Sequence, residues 1–126
     1  MHDATTLPGL VAEDDGERVG LLTYDLDGAA LEVVTIDAVR PGAGVGTTLL
    51  AAVRDVAKNI GARRVWLVTT NDNLAALRVY QRRGLRLMAV HAGAVDLARE
   101  LKPSIPALGA YGIPLRDELE LELPLD

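Results

Sequence analysis

A strand-like stretch that runs into three closely spaced glycines is the feature that most constrains this chain. Residues 31–39 are apolar with three polar side chains interspersed, and apolar residues recur at helical spacing from Val45 onward. Glycines between two such elements let successive backbone N–H groups turn toward an anion, and the first turn of the helix adds a partial positive charge. The pattern therefore predicts either a plain strand-to-helix connection or a phosphate-binding turn made of Gly42, Ala43, Gly44, Val45, Gly46 and Thr47.

Hydrophobic periodicity along the rest of the chain predicts a mixed α/β (α+β) fold. The first three strands are joined by turns and are expected to be antiparallel, whereas the strand over 64–70 is apolar on both faces, as is typical of an interior parallel strand. We predict helices over 45–60 and 93–101, and a third helix that Asn71 or Asp72 caps and Gly84 ends. The result is a mostly antiparallel sheet with a central parallel pair flanked by helices, its strands lying at 9–13, 18–25, 31–39, 64–70, 85–90 and 115–123.

Composition limits what the chain can bind and where it can work. With 126 residues, 49% of them hydrophobic, the chain is long enough for one core, so we predict a single domain over 1–126. A net charge of −5 without a long basic run disfavours nucleic-acid binding. No segment approaches the ~20 apolar residues of a membrane span, and no signal-peptide pattern is present, so we expect a cytoplasmic protein without membrane contact. The sequence has no cysteine and indicates no metal site.

A second motif lies in the helix that follows the 64–70 strand. Asn73, Ala76, Tyr80 and Gly84 stand at fixed offsets along it. Together with the glycine turn, this segment resembles the GNAT superfamily of acyl-CoA-dependent N-acyltransferases. The family motif Asn-x-x-Ala-x-x-x-Tyr, with a glycine four residues after the tyrosine, is matched at every position.

The resemblance implies that acetyl-CoA is the acyl-donor cosubstrate. The other family motif, Gln/Arg-x-x-Gly-x-Gly/Ala, cradles the CoA pyrophosphate; here Pro41 stands in the Gln or Arg position, and Arg40 is adjacent. The strand before the turn would offer the backbone of residues 36–38 to the pantetheine arm and the thioester oxygen. Asn73 would hydrogen-bond that arm, the alternative being a plain helix cap. The implied cofactor-binding residues are Ile36, Ala38, Arg40, Gly42, Ala43, Gly44, Val45, Gly46, Thr47, Asn73, Ala76 and Tyr80.

The resemblance also implies that a neutral amine attacks the thioester directly, which calls for a base and an acid. Tyr80 is the implied general acid, because a phenol ordinarily keeps its proton at neutral pH and can give it to a departing thiolate. The alternative is a tyrosine that packs in the core. Glu32 is the implied base, since it shares strand parity with Ile36 and Ala38. The alternative is a solvated strand residue.

The acceptor side of the site is less complete than the cofactor side. Members of the family place a strand and one or two helices ahead of this region, whereas 18 residues precede Val19 here. We therefore predict a homodimer in which the Leu-rich strand at 119–123 offers a free edge. The expected acceptor is a small-molecule or peptide amine. Two alternatives stay open: a non-catalytic acyl-CoA-binding or regulatory module, and an interaction subunit that pairs with a fuller acetyltransferase through the last strand and the Pro-rich section at 102–114.

Overall fold

The elements begin and end close to residues that the sequence marks as boundaries. The computed structural model of the protein describes residues 7–39 and 44–125. Its strands are β1 (Gly9–Asp14), β2 (Glu17–Asp27), β3 (Ala30–Ala38), β4 (Arg64–Thr70), β5 (Arg86–His91) and β6 (Glu118–Leu123). Its helices are α1 (Val45–Asn59), α2 (Leu74–Arg82) and α3 (Ala94–Leu101). Every predicted strand and helix is thus found among the described residues.

The strands form a mixed sheet in the order β1-β2-β3-β4-β6-β5. The first three strands are antiparallel neighbours, β3 and β4 pair in parallel, and β5 pairs antiparallel with β6. The predicted fold class, a mostly antiparallel sheet with a central parallel pair and flanking helices, is therefore confirmed.

The last strand is not an edge. β6 lies between β4 and β5 in the strand order, so the prediction that residues 119–123 form a free edge is wrong. The alternating leucines and glutamates indicated one buried and one wet face, but Leu121 is fully buried and the glutamates of β6 are half-buried. Alternation defines the two faces of a strand without defining its neighbours, and for this reason it could not distinguish an interior strand from an edge strand.

The described chain divides into two compact units, of which the first holds the residues up to Leu67 and those from Leu123 onward. In this unit α1 packs against β1, β2 and β3. Gly20 allows α1 to approach the sheet closely, because a methyl group at that position would overlap Cγ1 of Val45. The core of the unit includes the almost fully buried side chains of Leu22, Leu31, Leu49, Val53 and Val65.

One extra residue interrupts the pairing of β3 with β2. The antiparallel register skips Val34, which is therefore a β-bulge on β3. The parallel register with β4 runs from Ala30 to Val33 and ends where the bulge begins, whereas β3 itself continues to Ala38. Because a bulge bends its strand, the second half of β3 leaves the parallel register.

The second unit spans Val68–Glu122. In this unit α2 contacts β5, and β5 pairs with β6. Its buried apolar side chains include Tyr80, Leu85, Val95 and Leu121. Across residues 7–39 and 44–125, no helix is long and apolar enough to cross a membrane.

Candidate active site

The helix α1 begins without a side chain that satisfies its first backbone amides. Its N-cap is Gly44, whose φ of 79° lies in the left-handed region that favours glycine, and no described side chain caps the helix. The first turn holds no acidic residue, and the Thr48 hydroxyl donates to the Gly44 carbonyl at 3.0 Å. N–H groups that lack such a cap are what an anion requires at a helix start, and the predicted phosphate-binding turn, of which only the part from Gly44 onward is described, stays a prediction.

Gly44 and Gly46, the two described glycines of this turn, have different structural settings. Gly44 is required by its backbone angle. Gly46 has no such angle, and no described atom lies within 4 Å of the position that its Cβ would occupy. Glycine inside a helix lowers helix stability relative to alanine, so neither packing nor backbone conformation accounts for this glycine. The space left by Gly46 would allow an anion to approach the backbone.

The remaining predicted residues of the turn are only partly described. Arg40, Gly42 and Ala43 lie outside the described residues. Val45 and Thr47 are half-buried residues in the first turn of α1. Their role in cofactor binding stays a prediction.

The end of β3 lies next to the start of α1 within the first unit. Gly20, the residue that Val45 approaches, pairs with Ala38 across β2 and β3. A pocket of about 200 Å³ opens beside this end, lined by Arg18, Gly20, Leu21, Asp37, Ala38 and Val39. Arg18, the one cationic residue in this lining, is exposed. No sequence pattern singles out Arg18, since a lone cation at the start of a strand has no distinguishing signal.

The bulge separates Glu32 from the residues that it was expected to accompany. Glu32 pairs with Asp25, and Ile36 pairs with Leu22. Cross-strand partners share a face of the sheet, and positions 22 and 25 of β2 lie on opposite faces. Glu32 therefore does not share a face of β3 with Ile36, contrary to the prediction, because Val34 adds one residue between the two positions. The general-base role of Glu32, which is half-buried, stays a prediction.

Asn73 caps α2 in this structure. Its Oδ1 accepts from the Ala76 amide at 3.4 Å, and its Nδ2 donates to Oγ1 of Thr69 at 3.0 Å. The prediction that Asn71 or Asp72 caps this helix is wrong, because the helix begins after Asn73. Contact of Asn73 and Ala76 with a pantetheine arm stays a prediction beside the capping role.

Tyr80 is the buried side chain of α2, with 8% of its surface exposed. Its carbonyl accepts from the amides of Arg83 at 3.1 Å and Leu85 at 3.0 Å. Gly84, with a φ of 93°, follows the helix as the predicted stop. Burial of the ring is what the core-packing alternative requires, and the general-acid role stays a prediction.

Asn71 is bonded to the segment that leads into β6. Its Nδ2 donates to the Pro114 carbonyl at 2.9 Å, and its Oδ1 accepts from the amides of Arg116 and Asp117, each at 3.0 Å. The sequence signal for this role was a polar run after a strand, which indicated a turn without indicating its partner.

Asp72 is held by the same part of the chain. Its carboxylate accepts from the Thr70 hydroxyl at 2.5 Å and from the Ala110 amide at 2.8 Å. Burial acts to raise the pKa of the Asp72 carboxyl, but hydrogen bonds from Thr70, from Ala110 and from its own backbone amide outweigh burial and place the pKa below the usual value. Asp72 is therefore an anion at neutral pH.

The predicted site residues fall into two groups. The first unit holds Ile36, Ala38, Glu32 and the start of α1, and the second unit holds Asn73, Ala76 and Tyr80. Within residues 7–39 and 44–125, no group of three or more ligating side chains could hold a metal ion.

Comparison with known proteins identifies the family of the chain. The family model described as the acetyltransferase (GNAT) family matches residues 2–85. Uncharacterized protein YdhI of Bacillus subtilis (strain 168) is 40% identical over 121 residues, which cover 95% of this chain and 76% of that protein.

Two solved structures extend the comparison. A GNAT family acetyltransferase from Elizabethkingia anophelis with acetyl-CoA bound has a TM-score of 0.82 and 22% identity, covering 96% of this chain and 78% of that chain. A Bacillus subtilis acetyltransferase in complex with CoA has a TM-score of 0.80 and 24% identity, covering 94% of this chain and 76% of that chain. These two likenesses establish the fold, while the family model and the 40% identical relative establish the family. The chain belongs to the acetyltransferase (GNAT) family.

Proposed function

We propose that this chain transfers the acetyl group of acetyl-CoA to an amine. The observation that carries the proposal is the start of α1, where no described side chain caps the first backbone amides and no described atom lies beside the Cα of Gly44 or Gly46 on the side that a Cβ would occupy. Membership of the family supports acyl transfer in general. The relatives solved with CoA or acetyl-CoA support CoA as the acyl carrier.

The donor would be bound mainly by backbone groups. The amides at 44–47 would donate to the CoA pyrophosphate, where the positive end of the helix dipole also favours an anion. Arg18, which lines the neighbouring pocket, would add positive charge. Beyond the Val34 bulge, the backbone of Ile36 and Ala38 has left the register with β4, so its N–H and C=O groups could bond the pantetheine amides and the thioester oxygen.

The transfer itself requires two proton movements. The neutral amine attacks the thioester carbonyl, so that a C–N bond forms and the C–S bond breaks, giving an acetamide and free CoA. Glu32 would remove the proton that the attacking nitrogen loses, directly or through water. Tyr80 would donate the proton that the departing thiolate gains.

Calorimetry with acetyl-CoA tests the donor site. In Gly46→Glu a carboxylate would occupy the open space beside the first-turn amides and repel the pyrophosphate, so we expect binding to be lost while circular dichroism stays that of the folded protein. Gly46→Ala is the matched control, because the family motif accepts alanine there and no described atom lies within 4 Å of the added methyl group; it should bind acetyl-CoA within several-fold of wild type. Unchanged affinity in Gly46→Glu would contradict the proposed site.

A non-catalytic acyl-CoA-binding module is the second candidate, and the burial of Tyr80 favours it. Tyr80→Phe separates the two, measured by the release of CoA thiol from acetyl-CoA with a panel of amines. For an enzyme that uses Tyr80 as the acid, turnover should fall about 10²-fold with acetyl-CoA affinity retained, while Tyr24→Phe keeps full turnover. Acetyl-CoA binding without thiol release in the wild type would support the second candidate instead.

A further inference from the structure

Most of the segment between α3 and β6 is exposed, and its central part carries no charged side chain. Residues 103–115 contain no Asp, Glu, Lys or Arg in a chain that is 25% charged. Tyr111 is 75% exposed and Leu108 is 60% exposed. Exposed loops are usually polar, so an uncharged, exposed segment with large apolar side chains is a surface suited to an apolar ligand.

Hydrogen bonds fix this segment on one side to α3. Arg99 donates from Nε to the Ile105 carbonyl at 3.1 Å, and from Nη2 to the carbonyls of Pro106 at 2.8 Å and Leu115 at 2.7 Å. The Arg99 guanidinium therefore satisfies three backbone carbonyls of this irregular segment, which in a strand or helix would be satisfied by backbone N–H groups. The segment is therefore a built surface although it has no regular structure.

The tip of the segment is a short hairpin, which we define as residues 108–114. Leu108 and Pro114 form an isolated antiparallel bridge, and the Gly109 amide donates to the Ile113 carbonyl at 2.8 Å. Asn71 holds the same end through the Pro114 carbonyl. The ends of the tip hairpin are thus fixed by backbone pairing and by one side chain.

Asp72 fixes the centre of the tip hairpin. Its Oδ2 accepts from the Ala110 amide at 2.8 Å. A methyl group on Gly109 would overlap the Asp72 carboxyl, so this close approach requires glycine. Asp72 precedes Asn73, the cap of α2, and the tip hairpin is therefore attached at the end of α2 where the family motif begins.

Tyr111 is held at the tip in a backbone conformation that tyrosine rarely adopts. Its φ is 59° and its ψ is 21°, in the left-handed region where glycine or asparagine would be free of strain. The ring is largely exposed, so its burial in the folded chain does not offset this strain. Backbone strain at an exposed residue is typical of binding sites, where the side chain contacts a ligand instead of the protein's own core.

We propose that Tyr111 recognises an amine acceptor with an apolar or aromatic body, and that Asp72 is the positioning residue that presents Tyr111 at the start of α2. The inference rests on the proposed function, since it names the acceptor class of that same site. A tyrosine ring offers a flat apolar face for stacking at a small cost in side-chain entropy. Residues 108–114 carry no charged side chain of their own, so their exposed surface favours an apolar body over a polycation.

The test compares two amines as acceptors, 2-phenylethylamine and spermidine, with acetyl-CoA saturating. For the wild type we expect kcat/KM to be about tenfold or more higher for 2-phenylethylamine. Tyr111→Asn relieves the backbone strain and removes the ring, so it should stay folded and raise the KM for 2-phenylethylamine about tenfold with little change in kcat. Tyr111→Phe keeps the ring and should behave like wild type.

Asp72 is tested by rescue. Asp72→Ala removes the acceptor for the Ala110 amide and should raise the KM for 2-phenylethylamine while the Kd for acetyl-CoA stays within about twofold. Asp72→Asn keeps an acceptor oxygen and should restore most of the lost affinity. A general loss of stability would move kcat, KM and the Kd for acetyl-CoA together in both variants.

The possible results distinguish a failure of the proposed function from a failure of the acceptor inference. If the wild type acetylates neither amine nor any other in the panel, the proposed function fails. If it acetylates amines but prefers spermidine, or if Tyr111→Asn leaves the KM for 2-phenylethylamine unchanged, only the acceptor inference is overturned. A change of molar mass in Tyr111→Asn with unchanged kinetics would overturn it too, by showing that the tip hairpin is a protein contact.

Discussion

The Asp72 carboxylate is kept ionised by the same hydrogen bonds that attach it to Thr70 and Ala110. The Thr70 hydroxyl and the Ala110 amide donate to its oxygens, and these bonds lower its pKa in spite of burial. The pKa of an unfolded aspartate is ~3.9, and the folded-state pKa lies below it. Such a group stabilises the fold above its unfolded pKa and loses that contribution as the pH falls through its folded-state pKa.

The stability contributed by Asp72 should therefore disappear only in acid. We expect the free energy of unfolding of the wild type to exceed that of Asp72→Ala by a constant amount between about pH 5 and 8, and the difference to shrink below about pH 4. Urea unfolding of both proteins across this range measures it. Asp72→Asn cannot titrate and should keep a constant difference from Asp72→Ala down to the lowest pH. If the wild type does the same, the charge of Asp72 is irrelevant to the attachment of the tip hairpin.

Turn residues made the ends of the helices predictable from the sequence. Gly61 and Gly84, with φ of 75° and 93°, stand just beyond α1 and α2 as the predicted stops. The bulge at Val34 was not predictable, because it depends on how β3 pairs with β2 and leaves no mark in the composition of the strand. One inserted residue reversed the face expected for Glu32.

The candidate site was likewise predictable where its motifs are local in the sequence and not where it depends on contacts between distant residues. The glycine turn and the Asn-x-x-Ala-x-x-x-Tyr motif are local, so their positions on α1 and α2 follow from the sequence. The run 71–73 offered three capping side chains, and Asn73 is the cap because Asn71 and Asp72 bind residues more than thirty-five positions away. Long-range contacts of this kind leave no periodic signal in one sequence.

The close approach of α1 to the sheet can be tested by a substitution at Gly20. In Gly20→Ala the added methyl group would overlap Val45 and would also lie 3.1 Å from Leu49 Cδ1, so α1 must shift. Overpacking of this kind costs about 1–3 kcal/mol, and we expect that loss in the free energy of unfolding. Gly46→Ala is the control, since the methyl group would meet no atom of the described residues within 4 Å and alanine favours a helix. Equal stability of wild type and Gly20→Ala in chemical unfolding would show that the contact is not close.

The sheet ends in a strand that carries several exposed apolar side chains. β5 is the last strand of the sheet, and its Leu87, Met88 and Val90 are 52%, 55% and 65% exposed. Residues of this size rarely form an exposed cluster on a monomer. The sequence could not indicate this surface, because it exists only where β6 inserts between β4 and β5 and leaves β5 at the end.

We expect two copies of the chain to associate through this β5 surface. The register of β5 with β6 skips Met88, and a bulge on an edge strand disfavours the addition of a further strand, so the contact should form between side chains. Light scattering at micromolar concentration should give twice the monomer mass of 13.4 kDa. Val90→Lys places a charge within the surface and should yield the monomer with native circular dichroism. Val11→Lys, at a 44% exposed valine of the other terminal strand, is the matched control and should remain a dimer. A monomeric wild type, or dissociation by both variants alike, would contradict association through β5.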